Sequence, residues 1–354
     1  MKIGLVIYGS LDTLSGGYLY DRKLVGYLRS QGDTVEIISL PWRNYAAHLA
    51  DNLRFQLPAG FDLVIEDELN HPSLLAANAG RHPYPMISLV HHLRCSELRP
   101  AWQNAFYRAV ERRYLHSVDG FIFNSNTTQR AVKHLTVDRK PSIVAYPPTD
   151  RFGEALSESV VEARAAQAGP LQVLFLGNVI PRKGLHTLLE AIRRTPGKIQ
   201  LDVVGSLTTD PAYAERMQGF ARTNGLSSRV RFHGSLDNEP LAGMLKQAHV
   251  LAVPSSYEGF GIVFLEGMAF GLPAIGTTAG AAGEIIRDGE NGYLIPPGDA
   301  AALATRLQSL ASDRALLTRL SINALQRYRD QPKWEQTAGQ IRKFLQKTVG
   351  EHGL

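Results

Sequence analysis

The sequence predicts an α/β protein made of two doubly wound parallel sheets of the Rossmann type, and three observations predict it. Short apolar runs alternate with amphipathic helical patterns along the whole chain, as in parallel sheets covered on both faces. The alternation breaks once, at the polar, alanine-rich stretch 157–169. Beyond it Leu171-Gln172-Val173-Leu174-Phe175-Leu176-Gly177 opens a fresh strand–glycine unit, as residues 2–9 do at the start. A chain of 354 residues suits about two domains of ~150 residues each.

In order, the first half reads as strands at 2–8, 34–39, 63–66, 86–91, 120–124 and 142–146, with a helix at 18–31. The second half reads as strands at 171–177, 199–205, 230–234, 250–254, 274–276 and 292–295, with helices at 185–194 and 238–248. An apolar helix after Gly261 stops at Gly271-Leu272-Pro273, a glycine cap with proline beyond it. Gln331-Pro332 starts a last helix around 334–347. The expected division is 1–165, 166–330 and a terminal segment 331–354.

Composition narrows the function classes. Lys and Arg number 38 against 33 Asp and Glu, and a net charge of +5 does not by itself argue for nucleic acid. Cys95 is the single cysteine, so no intrachain disulfide and no cysteine-based zinc site is expected, which suits a reducing compartment. The opening run 1–9 is short and meets Gly9, so it reads as a strand rather than a signal peptide. No apolar run reaches ~18 residues. The expectation is a soluble, cytoplasmic protein.

Two loops concentrate the chemistry. Glu258-Gly259-Phe260-Gly261-Ile262 follows the strand 250–254 and opens the apolar helix. Its glycines allow close backbone approach, and the amides of the helix's first turn can bind an anion. Glu266 lies inside that helix, where a carboxylate is costly unless it accepts hydrogen bonds, from ligand hydroxyls or from a neighbouring loop. Gly177-Asn178-Val179-Ile180-Pro181-Arg182-Lys183-Gly184 forms a second strand–turn–helix junction. Its adjacent cations suit a diphosphate, or else belong to an open, solvated turn.

Taken together, Arg182-Lys183-Gly184, the Glu258…Glu266 pair, Gly271-Leu272-Pro273-Ala274-Ile275-Gly276 and Gly283-Glu284…Asp288-Gly289-Glu290-Asn291-Gly292 resemble the family-4 retaining glycosyltransferases of the GT-B fold. Ser15-Gly16-Gly17, opening a helix after the first strand, resembles them too. The resemblance is strong over 171–300 and weaker over 1–150. It implies two domains facing each other across a cleft, the first for an acceptor and the second for a UDP- or GDP-sugar, with the terminal helix crossing back to the first. It implies transfer of a hexosyl unit to an acceptor hydroxyl, in glycolipid, polysaccharide or glycoconjugate synthesis. Neither a metal nor another cofactor is expected.

Residue by residue, the resemblance implies that Gly16 and Gly17 approach the diphosphate or sugar, and that Arg182 and Lys183 hold the diphosphate beside Gly177 and Asn178. Glu258 would contact the donor sugar, the amides around Gly259, Phe260, Gly261 and Ile262 would receive sugar and phosphates, and Glu266 would bind the ribose diol. Backbone near Phe232, His233 and Gly234 would read the base. A histidine near the reacting carbon is implied at His91 or His92, with His91 preferred because it ends the apolar run. The catalytic set so implied is Arg182, Lys183, Glu258 and His91.

Two stretches stay open. Glu66-Asp67-Glu68 reads as a solvated loop or an acceptor contact; a metal cluster is disfavoured because the chain has no Asp-x-Asp. Arg94, Arg99, Arg108, Arg112 and Arg113 alternate with Trp102, Phe106, Tyr107 and Tyr114 over 94–114. Such a segment reads as an ordinary amphipathic helix or as a peripheral contact with an anionic membrane face. The rival functions are a non-hydrolysing nucleotide-sugar epimerase and a non-catalytic nucleotide-sugar-binding protein. An oxidoreductase is excluded, for no Gly-x-Gly-x-x-Gly follows an early strand with an acidic residue at the proper distance.

Overall fold

The computed structural model describes residues 1–13, 15–136, 140–147, 150–195, 197 and 199–352. Two compact units divide the chain: Met1–Pro148 together with Pro332–Leu354, and Thr149–Gln331. The first unit holds strands β1 (Lys2–Tyr8), β2 (Thr34–Leu40), β3 (Leu63–Asp67), β4 (Met86–Val90), β5 (Gly120–Phe123) and β6 (Ser142–Val144). They lie in the order β2-β1-β3-β4-β5-β6, with every pairing parallel. The second unit holds β7 (Leu171–Leu176), β8 (Ile199–Val204), β9 (Val230–Gly234), β10 (Val250–Ala252), β11 (Ala274–Thr277) and β12 (Gly292–Ile295). Its order is β12-β11-β10-β7-β8-β9, again parallel.

Every strand expected from the sequence is present, with ends displaced by at most two residues. β10 stops at Ala252 because Pro254 has no N–H to give to a ladder. In each sheet the order reverses beside the first strand, between β1 and β3 in one and between β7 and β10 in the other. Loops leaving the carboxyl ends of strands at such a reversal turn to opposite faces and open a crevice.

Both faces of the first sheet are covered. Ile3, Leu5 and Ile7 join one buried cluster, while the alternating Val6 and Tyr8 join the other. The first cluster is closed by the helices Gly16–Ser30 and Trp334–His352, the latter contributing Trp334, Ala338, Ile341 and Leu345. Trp334 also donates its indole N–H to Lys23 O at 3.0 Å. The terminal helix is thus part of the first unit.

The division falls ahead of the stretch 157–169 that reads as a boundary. That stretch contains the helix Glu158–Ala166, whose Val161, Arg164 and Ala165 are buried while Glu158, Ser159 and Glu162 face solvent. It packs on the helix Arg314–Arg329, and Arg164 donates to Phe270 O at 2.7 Å and Gly271 O at 3.0 Å. A short amphipathic helix with a polar outer face therefore looks like a linker in sequence.

Arg342 fastens the terminal helix to Asp33, with Nε 2.7 Å from Oδ2. Burial alone would raise the Asp33 carboxyl, but hydrogen bonds from Arg342 and the Met1 amino group outweigh it and hold it below the ordinary range. A depressed folded value gives stability that is present at neutral pH and lost as pH falls through that value. Asp33→Asn is expected to lower unfolding stability at neutral pH by about 1–3 kcal/mol. The gap between the two proteins should close in acid, as measured by urea unfolding across pH.

Candidate active site

At the reversal of the second sheet, two loops meet. After β7 the chain passes Gly177 (φ +149°), a 3₁₀ turn Pro181–Lys183 and Gly184 (φ +71°) before the helix Leu185–Arg194. After β10 it runs through Ser255 and Glu258 to Gly261 (φ +93°) and the helix Ile262–Met268. A side chain at Gly184 would lie 2.0 Å from Pro254 O, so only glycine lets the loops touch. Ser256 N–H donates to Arg182 O at 2.8 Å across the same junction.

Glu258 lies at the centre of this contact, only 6% exposed. Its Oε1 accepts from Lys183 Nζ at 2.6 Å and from Ser255 Oγ at 2.6 Å, and Arg182 Nη1 lies 3.9 Å from Oε2. Burial alone would raise this carboxyl, yet the Lys183 and Arg182 charges and the two hydrogen bonds hold it below the ordinary glutamate range. Burial in turn lowers the Lys183 ammonium, against the pull of Glu258. The cations are therefore not on an open turn: Lys183 has 15% of its side chain exposed. Glu258 backbone is pinned as well, since Ala281 N–H donates to its carbonyl at 2.8 Å.

Glu266 is 4% exposed, and its Oε1 lies 3.3 Å from Arg151 Nη1. Burial raises its carboxyl, with Arg151 opposing. The helix beneath it ends in a Schellman turn, Leu272 N–H donating to Gly267 O at 3.1 Å with Gly271 at φ +65°. Phe232, His233 and Gly234 form the end of the edge strand β9, away from this group, and His233 Nε2 lies 2.7 Å from Asp202 Oδ1. Through β8 they still approach the β7 loop: Gly205 N–H donates to Gly234 O at 2.9 Å, and a side chain at Gly205 would strike Gly177 O.

In the first unit Gly16 and Gly17 open the helix Gly16–Ser30, capped by Ser15. A Cβ at Gly17 would lie 3.2 Å from the His91 ring. His91 follows β4, donates its backbone N–H to Glu68 Oε2 at 2.7 Å, and sets Nε2 3.2 Å from Asp21 Oδ1. Burial alone would lower this imidazole, but the Asp21 contact and the Asp67 and Glu68 charges raise it to about 9. His92 points elsewhere, with Nε2 2.8 Å from Glu97 Oε1.

Glu66, Asp67 and Glu68 are all buried, so the solvated-loop reading does not hold. The short turns that follow β3, Glu68–Asn70 and His71–Leu74, are themselves buried. Burial, with the Asp21 charge, pushes the Asp67 carboxyl to about 7, and burial, with the Asp119 charge, does the same for Glu66. Asp21, Asp67 and His91 are the group among the described residues whose ligand atoms lie close enough to hold a metal ion, within 4.8 Å of one another. Sequence reasoning missed Asp21, although an acid on the buried stripe Tyr18, Asp21, Leu24, Leu28 was its signal. It also missed Ser255, a local partner of Glu258, and Arg151, whose contact with Glu266 joins positions 115 apart.

Over 94–114 the helix Ala101–Ser117 buries Tyr114 and Glu111, while Trp102 is 72% exposed. Among the described residues no helix is long and apolar enough to cross a membrane.

Residues 158–327 match the family described as glycosyl transferases group 1, and residues 29–151 match glycosyltransferase family 4. A glycogen synthase of Mycobacterium tuberculosis is 26% identical over 76% of this chain and 64% of its own length. The solved structure of a sucrose-phosphate synthase from Thermosynechococcus elongatus superposes with a TM-score of 0.83 at 23% identity, covering 99% of each chain. Anabaena Alr3699/HepE, solved with UDP-glucose, gives 0.74 at 20% identity over 98% of this chain and all of the other. Two parallel doubly wound sheets and the likeness to these structures show the GT-B fold class. The chain belongs to the family-4 glycosyltransferases of that fold.

His91 contributes to the pH response of the first unit. Its folded value of about 9 exceeds the ordinary 6.5, so its stabilisation is complete below pH 6.5 and drains as pH rises through about 9. NMR titration should find His91 near 9, and Asp21→Asn should bring it down by about 1–3 units. An unshifted wild-type His91 would dissolve the Asp21 partnership.

Proposed function

We propose that this chain moves a hexosyl unit from a UDP- or GDP-sugar to an acceptor hydroxyl with retention of anomeric configuration, using no metal or other cofactor. The observation that carries the reading is the convergence of Arg182, Lys183 and Glu258 at the β7/β10 reversal. The likeness to Alr3699/HepE, solved with UDP-glucose, supports a nucleotide-sugar donor. Arg182 and Lys183 take the diphosphate, Glu258 takes sugar hydroxyls through Oε2, and Glu266 takes the ribose diol in place of Arg151. The first unit is assigned the acceptor, with His91 as a charged hydrogen-bond donor to substrate.

In this reading the bond from the anomeric carbon to the diphosphate oxygen breaks with its electron pair leaving on the phosphate. The two cations compensate that growing charge. The acceptor oxygen attacks the same face, and its proton passes to the departing phosphate, so no protein nucleophile is needed. A peripheral contact with an anionic membrane remains part of the proposal; exposed Leu98, Trp102 and Phe106 beside Arg108, Arg112 and Arg113 support it.

Three variants separate the roles. Lys183→Ala should lower kcat by about a hundredfold or more through lost charge compensation. It should also cost about 3 kcal/mol of stability, because it strands a buried carboxylate. Glu266→Gln should weaken UDP or GDP binding about tenfold by calorimetry. Glu258→Gln should leave that affinity near wild type and reduce turnover of the intact donor. Reversal of the two glutamate results would invert the assigned roles.

Chelation gives an independent check. Turnover should survive EDTA, whereas a complete loss restored by magnesium or manganese would place a cation in the reaction. Asp21, Asp67 and His91 would then be its first candidates.

A further inference from the structure

The first unit contains a cavity of about 370 Å³. Its walls are the segments leaving β1, β2, β3 and β4: Tyr8, then Trp42 and Tyr45, then Glu68, then His92 and Arg94. These are the carboxyl ends of parallel strands, where open α/β sheets take ligands. The volume falls within the range of small-molecule sites, about 300–1,000 Å³.

The charges of the wall are compensated, with one exception. Arg43 is paired with Asp51 at 3.1 Å. Glu97 is held by His92 at 2.8 Å and by Arg99. Glu111 accepts the backbone N–H groups of Arg94 at 2.5 Å and Cys95 at 3.1 Å, and Glu68 accepts that of His91 at 2.7 Å. Arg94 is the exception. Among the described residues its guanidinium makes no ion pair, and its buried Nε has no hydrogen-bond partner. It stands over the Tyr45 ring at 5.1 Å and the Tyr107 ring at 4.7 Å.

Two aromatic faces thus fix a planar cation on the cavity wall without neutralising it. A guanidinium so held presents its remaining donors as a fork for a phosphate or carboxylate. Trp42 supplies the second element of recognition. Its indole is 54% exposed and leans on Tyr8 with centroids 5.3 Å apart, offering a flat apolar face. Such a face suits the C–H side of a sugar or cyclitol ring.

We infer that this cavity binds an acceptor whose sugar or polyol ring carries an anionic group, with Arg94 as the partner of that group and Trp42 under the ring. The inference rests on the glycosyltransferase reading and adds the chemical class of the acceptor.

Calorimetry on the full chain tests it with matched probes: glucose 6-phosphate against glucose, and myo-inositol 1-phosphate against myo-inositol. At least one phosphorylated member should bind tenfold or more tightly than its neutral parent, and inorganic phosphate should compete with it. Arg94→Gln should erase that difference, and Arg94→Lys should keep part of it. Vesicles of phosphatidylcholine with or without phosphatidylinositol form a second arm. Arg94-dependent sedimentation with phosphatidylinositol alone would locate the anion in a lipid headgroup, while soluble binding alone would locate it in a free sugar phosphate; either supports the assignment. Equal affinity of charged and neutral probes with no Arg94-dependent vesicle binding, or a difference untouched by Arg94→Gln, overturns it. UDP binding is followed throughout: intact UDP binding in the variants shows that they fold, and its absence from the wild type would defeat the proposed function instead. Should Arg94→Gln lose UDP binding through misfolding, Arg94→Lys carries the test, with a reduced phosphate preference expected and an unchanged one overturning the inference.

Discussion

A carboxylate that keeps 6% of its surface can stay ionised only if its environment replaces the lost water, and the second unit is organised around doing this for Glu258. Lys183 and Ser255 share one oxygen and Arg182 approaches the other. The backbone conforms to the same demand. Gly184 lets the β7 loop lie on Pro254, and a side chain at Gly280 would strike the Glu258 carbonyl at 2.1 Å. Remove the close approach and the cations would lose their common partner. The loops after β7 and β10, which a reversal of strand order sends to opposite faces, are thereby tied across it.

The first unit solves the opposite problem. Asp21, Asp67 and Glu68 crowd around a single imidazole, so acid is in excess. Where cations hold the Glu258 carboxyl down, burial and mutual repulsion push Asp67 up to about 7 and raise Glu68 well above its ordinary value. Protons supply what charged partners do not, and His91 remains an imidazolium because its acidic neighbours outweigh its burial. One unit therefore has a charge-locked centre whose electrostatics are set by fixed ions. The other has a protonic centre that responds to pH.

The sequence disclosed what is local. Strands followed by glycine, and helices with a glycine stop, are written in neighbouring residues, so β7, β10 and the glycine at 271 were legible. The pairing of Lys183 with Glu258 was half-legible: both residues stood out, but their mutual contact joins loops 75 positions apart. Asp21 sat on an apolar stripe and was passed over, and the carboxylates at the end of β3 looked solvated because the segments that bury them are distant or irregular. The helix Glu158–Ala166 looked like a linker because half of its surface is one. That helix apart, what the sequence concealed was the partner rather than the element.

Partners also distinguish the two buried glutamates. Glu258 takes short contacts from side chains fixed on converging loops, with Lys183 and Ser255 both at 2.6 Å. Glu266 is set as firmly by its backbone, since Gly261 begins its helix and the Schellman turn, reinforced by Arg164, ends it. Its side chain is held differently, by one arginine that is 29% exposed and 3.3 Å away. Arg151 also donates Nε to Asn238 Oδ1 at 2.9 Å and stands over the Phe152 ring at 5.0 Å, so it keeps those contacts when it releases Glu266. Burial meanwhile keeps Glu266 in want of donors. Rigid backbone, costly burial and a weakly held partner together describe a carboxylate prepared to exchange one set of donors for another. In the proposed function such a group takes the ribose diol, while the locked Glu258 holds Lys183 and Arg182 where a departing diphosphate needs them.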